Sequence, residues 1–294
     1  MNPEQRAHSI LKGLDGEQRE VALAVGGPVR VLAGAGTGKT RAITHRIAYS
    51  VVIGASEAER TLALTFTNRA AGEMRHRLLG LGVRGAQVRT FHAAALRQLR
   101  FFWPQLSRTA FPELMSSKAS IVARSLAHCK VDSDKALLRD VSGDIEWCKA
   151  NMMDSALIHK AKRDFAIDVA TLAKVMDSYE TLKKDRNLLD FDDILMLMSA
   201  AIRTRPDIQS AVHSAYRWFT VDEFQDVNPL QKSVLDLWIG ERDDICVVGD
   251  PSQTIYSFTG ASSKYLTDFV KTYPNSTLVD LVRCYRCSPE IVAM

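Results

Sequence analysis

No apolar run in the sequence approaches the roughly 20 residues that a membrane-spanning helix needs, so no membrane partner is expected. The stretch from Met1 to Lys12 has no apolar segment of the kind a secretory leader carries. Cysteine is sparse. Cys129, Cys148, Cys246, Cys284 and Cys287 are scattered and odd in number, which argues against a disulfide framework and for a reduced, cytoplasmic setting. Cys284-x-x-Cys287 has zinc or redox spacing, but no second Cys or His pair accompanies it, so a structural zinc is not expected. Repeats and low-complexity tracts are absent. The formal net charge is only +4, too small to mark a nucleic-acid binder by itself. Arginines do cluster locally, as at Arg69, Arg75 and Arg77, but solvated helix faces produce such clusters too. Aromatics make up 7% of the chain, so any base-stacking role must be argued position by position. What is present is ordinary: 46% apolar residues in a chain of 294, enough for a real core and about two average domains.

Against that background Ala33-Gly34-Ala35-Gly36-Thr37-Gly38-Lys39-Thr40 stands out. An apolar strand, 29–33, precedes it and a helical pattern, 42–52, follows. This is the strand–loop–helix setting of a phosphate-binding loop. Its glycines let the backbone fold around an anion, with N–H groups and a helix N-terminus pointing inward. Lys39 would reach the β- and γ-phosphates and Thr40 would ligate Mg²⁺. The first position of the pattern is Ala33 rather than glycine, and the competing reading is a plain glycine-rich βα turn.

Strands are expected at 60–66, 88–92, 216–221, 245–248 and 277–281, with helices at 69–79, 93–103, 229–239 and 262–273 between them. That alternation predicts an α/β fold with a parallel sheet. From about 111 to 184 the pattern is helical throughout, at 118–129, 135–149, 155–161 and 171–184, and another helix is expected at 188–202. The chain therefore reads as a motor-like α/β domain, 1–103 and 188–282, interrupted by an all-α insertion, 104–187. Residues 283–294 begin something further.

Val221-Asp222-Glu223-Phe224-Gln225-Asp226 follows an apolar strand. Asp222 is placed to hold Mg²⁺, and Glu223 to orient and deprotonate an attacking water. Two adjacent acids could otherwise be surface charge. Asp15 reads as a helix N-cap with Gln18 three residues on, as in a capping box.

Taken together, Ala33–Thr40, Val221–Asp226 and Val248–Phe258 resemble superfamily 1 DNA helicases of the UvrD/PcrA/Rep type. The likeness extends to Gln18 in Leu14–Arg19, to 64–71, to 88–92, to 189–194, and to Tyr285-Arg286. The runs 256–261 and 90–95 are most similar to the second UvrD paralogue group of actinobacteria. The resemblance implies a RecA-like P-loop fold, ATP and Mg²⁺ as cofactors, and single-stranded DNA and single-strand/double-strand junctions as partners. It implies a bacterial, cytoplasmic protein associated with the nucleoid when working, and 3′→5′ unwinding in DNA repair or replication. It assigns Lys39, Asp222, Glu223, Gln253 and Arg286 to catalysis. Gln253 would be the γ-phosphate sensor and Arg286 an arginine finger. Tyr285 and Gln18 would hold adenine, with Arg41 assisting. Phe66, Phe191, Tyr256 and Phe258 would meet DNA bases, and Asn68, Thr90 and His92 its backbone. Core packing competes for Phe66 and Phe191, and a structural role for His92.

The family pattern is broken in places. Cys284 and Cys287 stand where Asn and Ser are usual, which bears on the bracing of Arg286. Phe258 and Thr259 stand where Trp and Arg are usual. The family continues into a second RecA-like motor domain beyond the last residue here, so the chain reads as the N-terminal portion of a longer protein. The alternatives are a non-catalytic ATP- or DNA-binding module, or part of a helicase–nuclease of the RecB/AddA sort.

Overall fold

In the computed structural model, which describes residues 2–256 and 259–285, the chain opens with two capped helices. Asn2 and Gln5 cap α1 (Pro3–Leu11) reciprocally, and the Asp15 side chain caps α2 (Gly16–Leu23). β1 (Val29–Ala33) runs into the glycine-rich loop, and α3 (Lys39–Val52) leaves it. Two strand–helix units follow: β2 (Thr61–Thr65) with α4 (Asn68–Gly80), and β3 (Gln87–Thr90) with α5 (Phe91–Leu106). Thr67 and Thr90 cap these helices through their hydroxyls, a contribution of about 1 kcal/mol each. The second was expected to end at residue 103, just before Pro104. Pro104 lies inside the last turn instead, where only one intrahelical bond is lost, and α5 continues to Leu106.

The insertion comprises β4 (Glu113–Leu114), α6 (Ala119–His128), α7 (Lys135–Ala150) and α8 (Val169–Asp185), and β5 (Leu188–Leu189) follows. The uninterrupted helical pattern expected from 111 to 184 is corrected here. Glu113 and Leu114 pair in parallel with Leu188 and Leu189, closing the base of the insertion. Two-residue strands have no periodicity to read. The helix expected at 155–161 is only a 3-10 turn, Ile158–Lys160. Ile121, Leu126, Ile145, Leu172 and Tyr179 anchor a core of the insertion's own, built mainly from α6, α7 and α8.

The chain returns through α9 (Phe191–Thr204), α10 (Pro206–Ala215), β6 (Trp218–Val221), α11 (Pro229–Ile239) and β7 (Ile245–Gly249). α12 (Lys264–Thr267), α13 (Phe269–Thr272) and β8 (Thr277–Leu281) complete it. The single helix expected over 262–273 is two one-turn helices meeting at Asp268, a residue type that favours caps over helix interiors.

Six strands form one sheet in the order β3-β2-β6-β7-β1-β8, every pair parallel. Leu62 and Leu64 face one apolar cluster, shared with Phe91, Leu195 and Trp238. Ala63 between them faces the other, shared with Ile43, Met74 and Val248. Burial on both faces is why the strands read as continuous apolar runs. This is the helix-covered parallel sheet that the strand–helix alternation implied, and the RecA-like kind that the resemblance implied. Because β1 sits between β7 and β8, the glycine-rich loop lies beside the carboxyl end of β7. Ligands of open parallel sheets bind at such carboxyl ends.

A buried ion cluster joins insertion to sheet. Asp190 caps α9 in a reciprocal box with Asp193. Lys183 Nζ lies 3.1 Å from Asp190 Oδ2 and 2.6 Å from Asp193 Oδ2, and Lys149 Nζ lies 2.7 Å from Asp190 Oδ2 and also meets Asp193. The Tyr179 hydroxyl donates to Asp190 at 2.9 Å. Glu180, Asp190 and Asp193 are close enough to suggest a metal site, but the ammonium groups of Lys149 and Lys183 already bond to all three carboxylates.

Candidate nucleotide and nucleic-acid sites

The loop after β1 is tight for identifiable reasons. Gly36 and Gly38 have φ of 77° and 83°, in the left-handed region that glycine alone enters freely. Gly38 is also the N-cap of α3, and a Cβ there would stand 2.6 Å from Gln18 Nε2. The Thr37 hydroxyl donates to the Gly34 carbonyl at 2.9 Å. Ala33, the departure from the usual pattern, is buried as the last residue of β1. Ala35 and Thr40 complete the loop and the first turn of α3.

Gln18 settles between its two readings. Its backbone N–H donates to Asp15 Oδ1 at 2.7 Å, so the cap exists. The reciprocal half of a capping box does not, because the Gln18 amide is turned to the Thr37 carbonyl at 3.1 Å. Arg41 donates to the Gly13 carbonyl at 2.9 Å and so borders the same corner.

Across from the loop, at the end of β6, Glu223 Oε2 lies 3.0 Å from Lys39 Nζ. Glu223 is one of four non-glycine residues among those described with positive φ, at 52°, a conformation that costs energy and recurs at functional sites. Asp222 beside it is buried. Burial first, and the Glu223 carboxylate second, push its pKa up to about 7 against the pull of Lys39. The Asp222 carboxyl and the Thr40 hydroxyl are hard oxygen donors, the chemistry that Mg²⁺ takes.

The sequence pattern missed three residues here. Gln225 is 1% exposed, and its Nε2 donates to Glu223 Oε2 at 3.0 Å and Asp226 Oδ2 at 3.2 Å. Its Oε1 accepts the Asp250 N–H at 3.1 Å. Asp226 Oδ1 accepts the N–H groups of Ile255 and Tyr256 at 3.1 and 3.4 Å. Gln253 Nε2 donates to Asp250 Oδ2 at 2.5 Å. The run Asp-Glu-Phe-Gln-Asp contained two of these residues, but only contacts reveal what they hold.

A C-terminal strap crosses the glycine-rich loop. Val282 N–H donates to Glu17 Oε2 at 2.8 Å, the Cys284 thiol to the Ala35 carbonyl at 3.5 Å, and Tyr285 N–H to the Gly36 carbonyl at 2.9 Å. The Tyr285 hydroxyl donates to Asp15 Oδ2. Arg286, Phe258 and Cys287 lie outside the described residues.

Among the residues expected to meet DNA, Phe66 and Tyr256 stack with ring centroids 6.3 Å apart and planes at 11°. Phe66 also packs edge-on against Phe91, so it is half core and half surface. Phe191 is not a core residue: it is 51% exposed, and its ring meets His92 edge-on at 5.9 Å. Thr90 uses its hydroxyl to cap α5, while Asn68 is exposed at the start of α4. His92 and Phe191 line a cleft of about 850 Å³ between sheet and insertion. Its lining also carries Lys118, Lys135 and Arg139, which no motif marked, and the acids Glu146, Asp190 and Asp192, with Lys118 paired to Asp192 at 2.9 Å. Burial holds the His92 pKa below its ordinary value, and Nε2 is buried without a hydrogen-bond partner.

A helix-covered parallel sheet with this loop at its switch point defines a P-loop α/β domain of the RecA-like class. Residues 14–274 match the model of the UvrD/REP helicase N-terminal domain, and the chain belongs to that family. It is 47% identical over 300 residues to ATP-dependent DNA helicase UvrD2 of Mycobacterium tuberculosis, covering 97% of this chain and 43% of that protein. It is 33% identical over 290 residues to ATP-dependent DNA helicase PcrA of Leuconostoc citreum, covering 97% and 38%. Against ATP-dependent DNA helicase UvrD1 of M. tuberculosis the identity is 32% over 314 residues, covering 98% and 39%. The chain thus spans less than half the length of these relatives. The higher identity to UvrD2 agrees with the likeness carried by residues 256–261. Among the described residues no helix is long and apolar enough to cross a membrane.

Proposed function

We propose that the chain is the ATP-binding and single-strand-binding N-terminal part of a bacterial ATP-dependent DNA helicase. The whole protein moves 3′→5′ on single-stranded DNA and opens duplex at single-strand/double-strand junctions, in repair or replication, in the cytoplasm and at the nucleoid. Residues 1–103 and 188–282 form the first motor domain, 104–187 its inserted subdomain, and 283–294 the entry to a second motor domain. The names of the relatives support this reading. The observation that carries it is the meeting of Lys39 and Glu223 at 3.0 Å beside the buried Asp222.

In this reading the loop N–H groups and Lys39 bind the phosphates, and Thr40 and Asp222 hold Mg²⁺. The ion, when bound, neutralises charge on the phosphate oxygens. Glu223 accepts a proton from the attacking water, and phosphate draws Lys39 away from it. Gln253, beside Asp250 at the loop, senses the γ-phosphate, and Arg286 adds positive charge. Tyr285 and Gln18 hold adenine. Phe66, Tyr256, Phe258 and Phe191 stack on bases, and Asn68, Thr90 and His92 meet the strand's backbone. The buried His92 Nε2, which has no hydrogen-bond partner, supports a polar occupant for the cleft.

The test is ATP hydrolysis by the full-length protein with and without single-stranded DNA. DNA should stimulate turnover, and Lys39→Ala should abolish it. Turnover indifferent to both would overturn the proposal.

A further inference from the structure

One side-chain amide bonds three residues that lead to different parts of the site. Gln225 is buried, and both of its N–H donors are taken: one by Glu223 Oε2 at 3.0 Å, the other by Asp226 Oδ2 at 3.2 Å. Its carbonyl oxygen holds the Asp250 N–H at 3.1 Å. Each partner leads somewhere different. Glu223 faces Lys39 of the glycine-rich loop. Asp226 grips the backbone of Ile255 and Tyr256, and the Tyr256 ring stacks on Phe66. Asp250 holds Gln253.

The amide has almost no freedom. A Cβ on Gly249 would collide with Gln225 Oε1, so the glycine at the end of β7 is what admits it. A planar amide shares its orientation between its two ends. Moving the Tyr256 segment pulls Asp226, and through Nε2 it shifts the group that positions the Glu223 carboxylate. Asp226 cannot swing free, because its other oxygen is committed to two backbone N–H groups.

We infer that Gln225 is a positioning residue that transmits the state of the Tyr256 segment to Glu223. Occupancy of the aromatic platform by single-stranded DNA thereby sets the geometry of the water-activating carboxylate. The inference rests on Glu223 as base and Tyr256 as a DNA contact. Sequence patterns alone could not supply it, since Gln225 touches neither nucleotide nor DNA in this scheme.

The test is a double-mutant cycle on DNA-stimulated turnover in the full-length protein. Gln225→Met keeps the length of the side chain and removes both donors. It should lower the stimulated kcat at least tenfold while leaving the KM for ATP and the Kd for single-stranded DNA within about twofold. Tyr256→Ala should cost far less stimulation in the Gln225→Met background than in wild type. Asp226→Asn is the second variant: it keeps an oxygen for the Ile255 and Tyr256 N–H groups but turns a donor toward Gln225, so it should act in the same way if Gln225→Met does not fold. Additive effects of either variant with Tyr256→Ala overturn the relay alone. Unchanged stimulation in Tyr256→Ala overturns the relay together with the DNA role of Tyr256. Normal hydrolysis by Glu223→Gln removes the base assignment, which separates its failure from that of the relay.

Discussion

The carboxylate of Asp15 accepts the hydroxyl hydrogen of Tyr285, 270 residues along the chain. Its other oxygen caps α2 by accepting the Gln18 N–H. One acid therefore sets the position of both groups proposed to hold adenine. Asp15→Ala should remove a cap worth about 1 kcal/mol of stability. In the full-length protein it should also raise the KM for ATP and narrow the preference for ATP over GTP. Competition between the two nucleotides in a turnover assay reads this directly, and an unaltered preference would leave Asp15 with the cap alone.

Glu223→Gln keeps the shape of the side chain and removes the base. Positioned general bases contribute about 10²–10⁴-fold to rate. Turnover in the full-length protein should fall by that order while nucleotide binding persists, as measured by equilibrium titration with a fluorescent ATP analogue.

Phe191 is exposed, so Phe191→Ala should change folding stability by no more than about 0.5 kcal/mol. If its ring stacks on a base, single-strand affinity should drop by about 1–3 kcal/mol. Fluorescence anisotropy with a labelled oligonucleotide separates this from a structural role, in which affinity would not move.

The ion cluster at the foot of α9 predicts a pH dependence. Burial alone would raise the Asp190 pKa from its ordinary 3.8, but Lys149 and Lys183 more than reverse this and hold it well below. A depressed carboxylate contributes stability above its unfolded-state pKa and loses it as pH falls through the folded one. The urea midpoint should therefore decline below about pH 4. Asp190→Asn should flatten that acid limb, and Lys183→Met should cost about 3–5 kcal/mol at neutral pH by leaving buried carboxylates underneutralised.

The chain of 294 residues, prepared alone, should bind ATP weakly and show little DNA-stimulated hydrolysis beside the full-length protein. Comparable turnover by the two would mean that the site proposed here needs no second motor domain.

Much of this architecture could be read from residues near one another in sequence. β1, β8 and α11 occupy the expected spans because apolar runs and caps mark them. The glycine-rich loop was visible because its parts are contiguous. The pattern was silent on α1 and α10, short peripheral helices whose apolar faces are narrow. It was equally silent on Gln225, Asp250 and the cleft residues Lys118, Lys135 and Arg139. Each of these gains its meaning from a partner brought close by folding. Cys284 shows the limit from the other side: its departure from the family pattern was plain, but its contact with Ala35 was not.

The strand order also governs the order of events during synthesis. Val29 of β1 pairs with Cys246 of β7 and Thr277 of β8, so the phosphate-loop strand has no neighbour until more than 200 further residues have emerged. At ribosomal rates of about 5–20 residues per second, this is a wait on the order of 10–40 s. The insertion needs no such wait, because its core is drawn from one continuous stretch, 115–188. It can condense on the ribosome while β1 is still exposed. The nascent chain therefore assembles from its middle outward, and the nucleotide-binding strand is among the last to be enclosed.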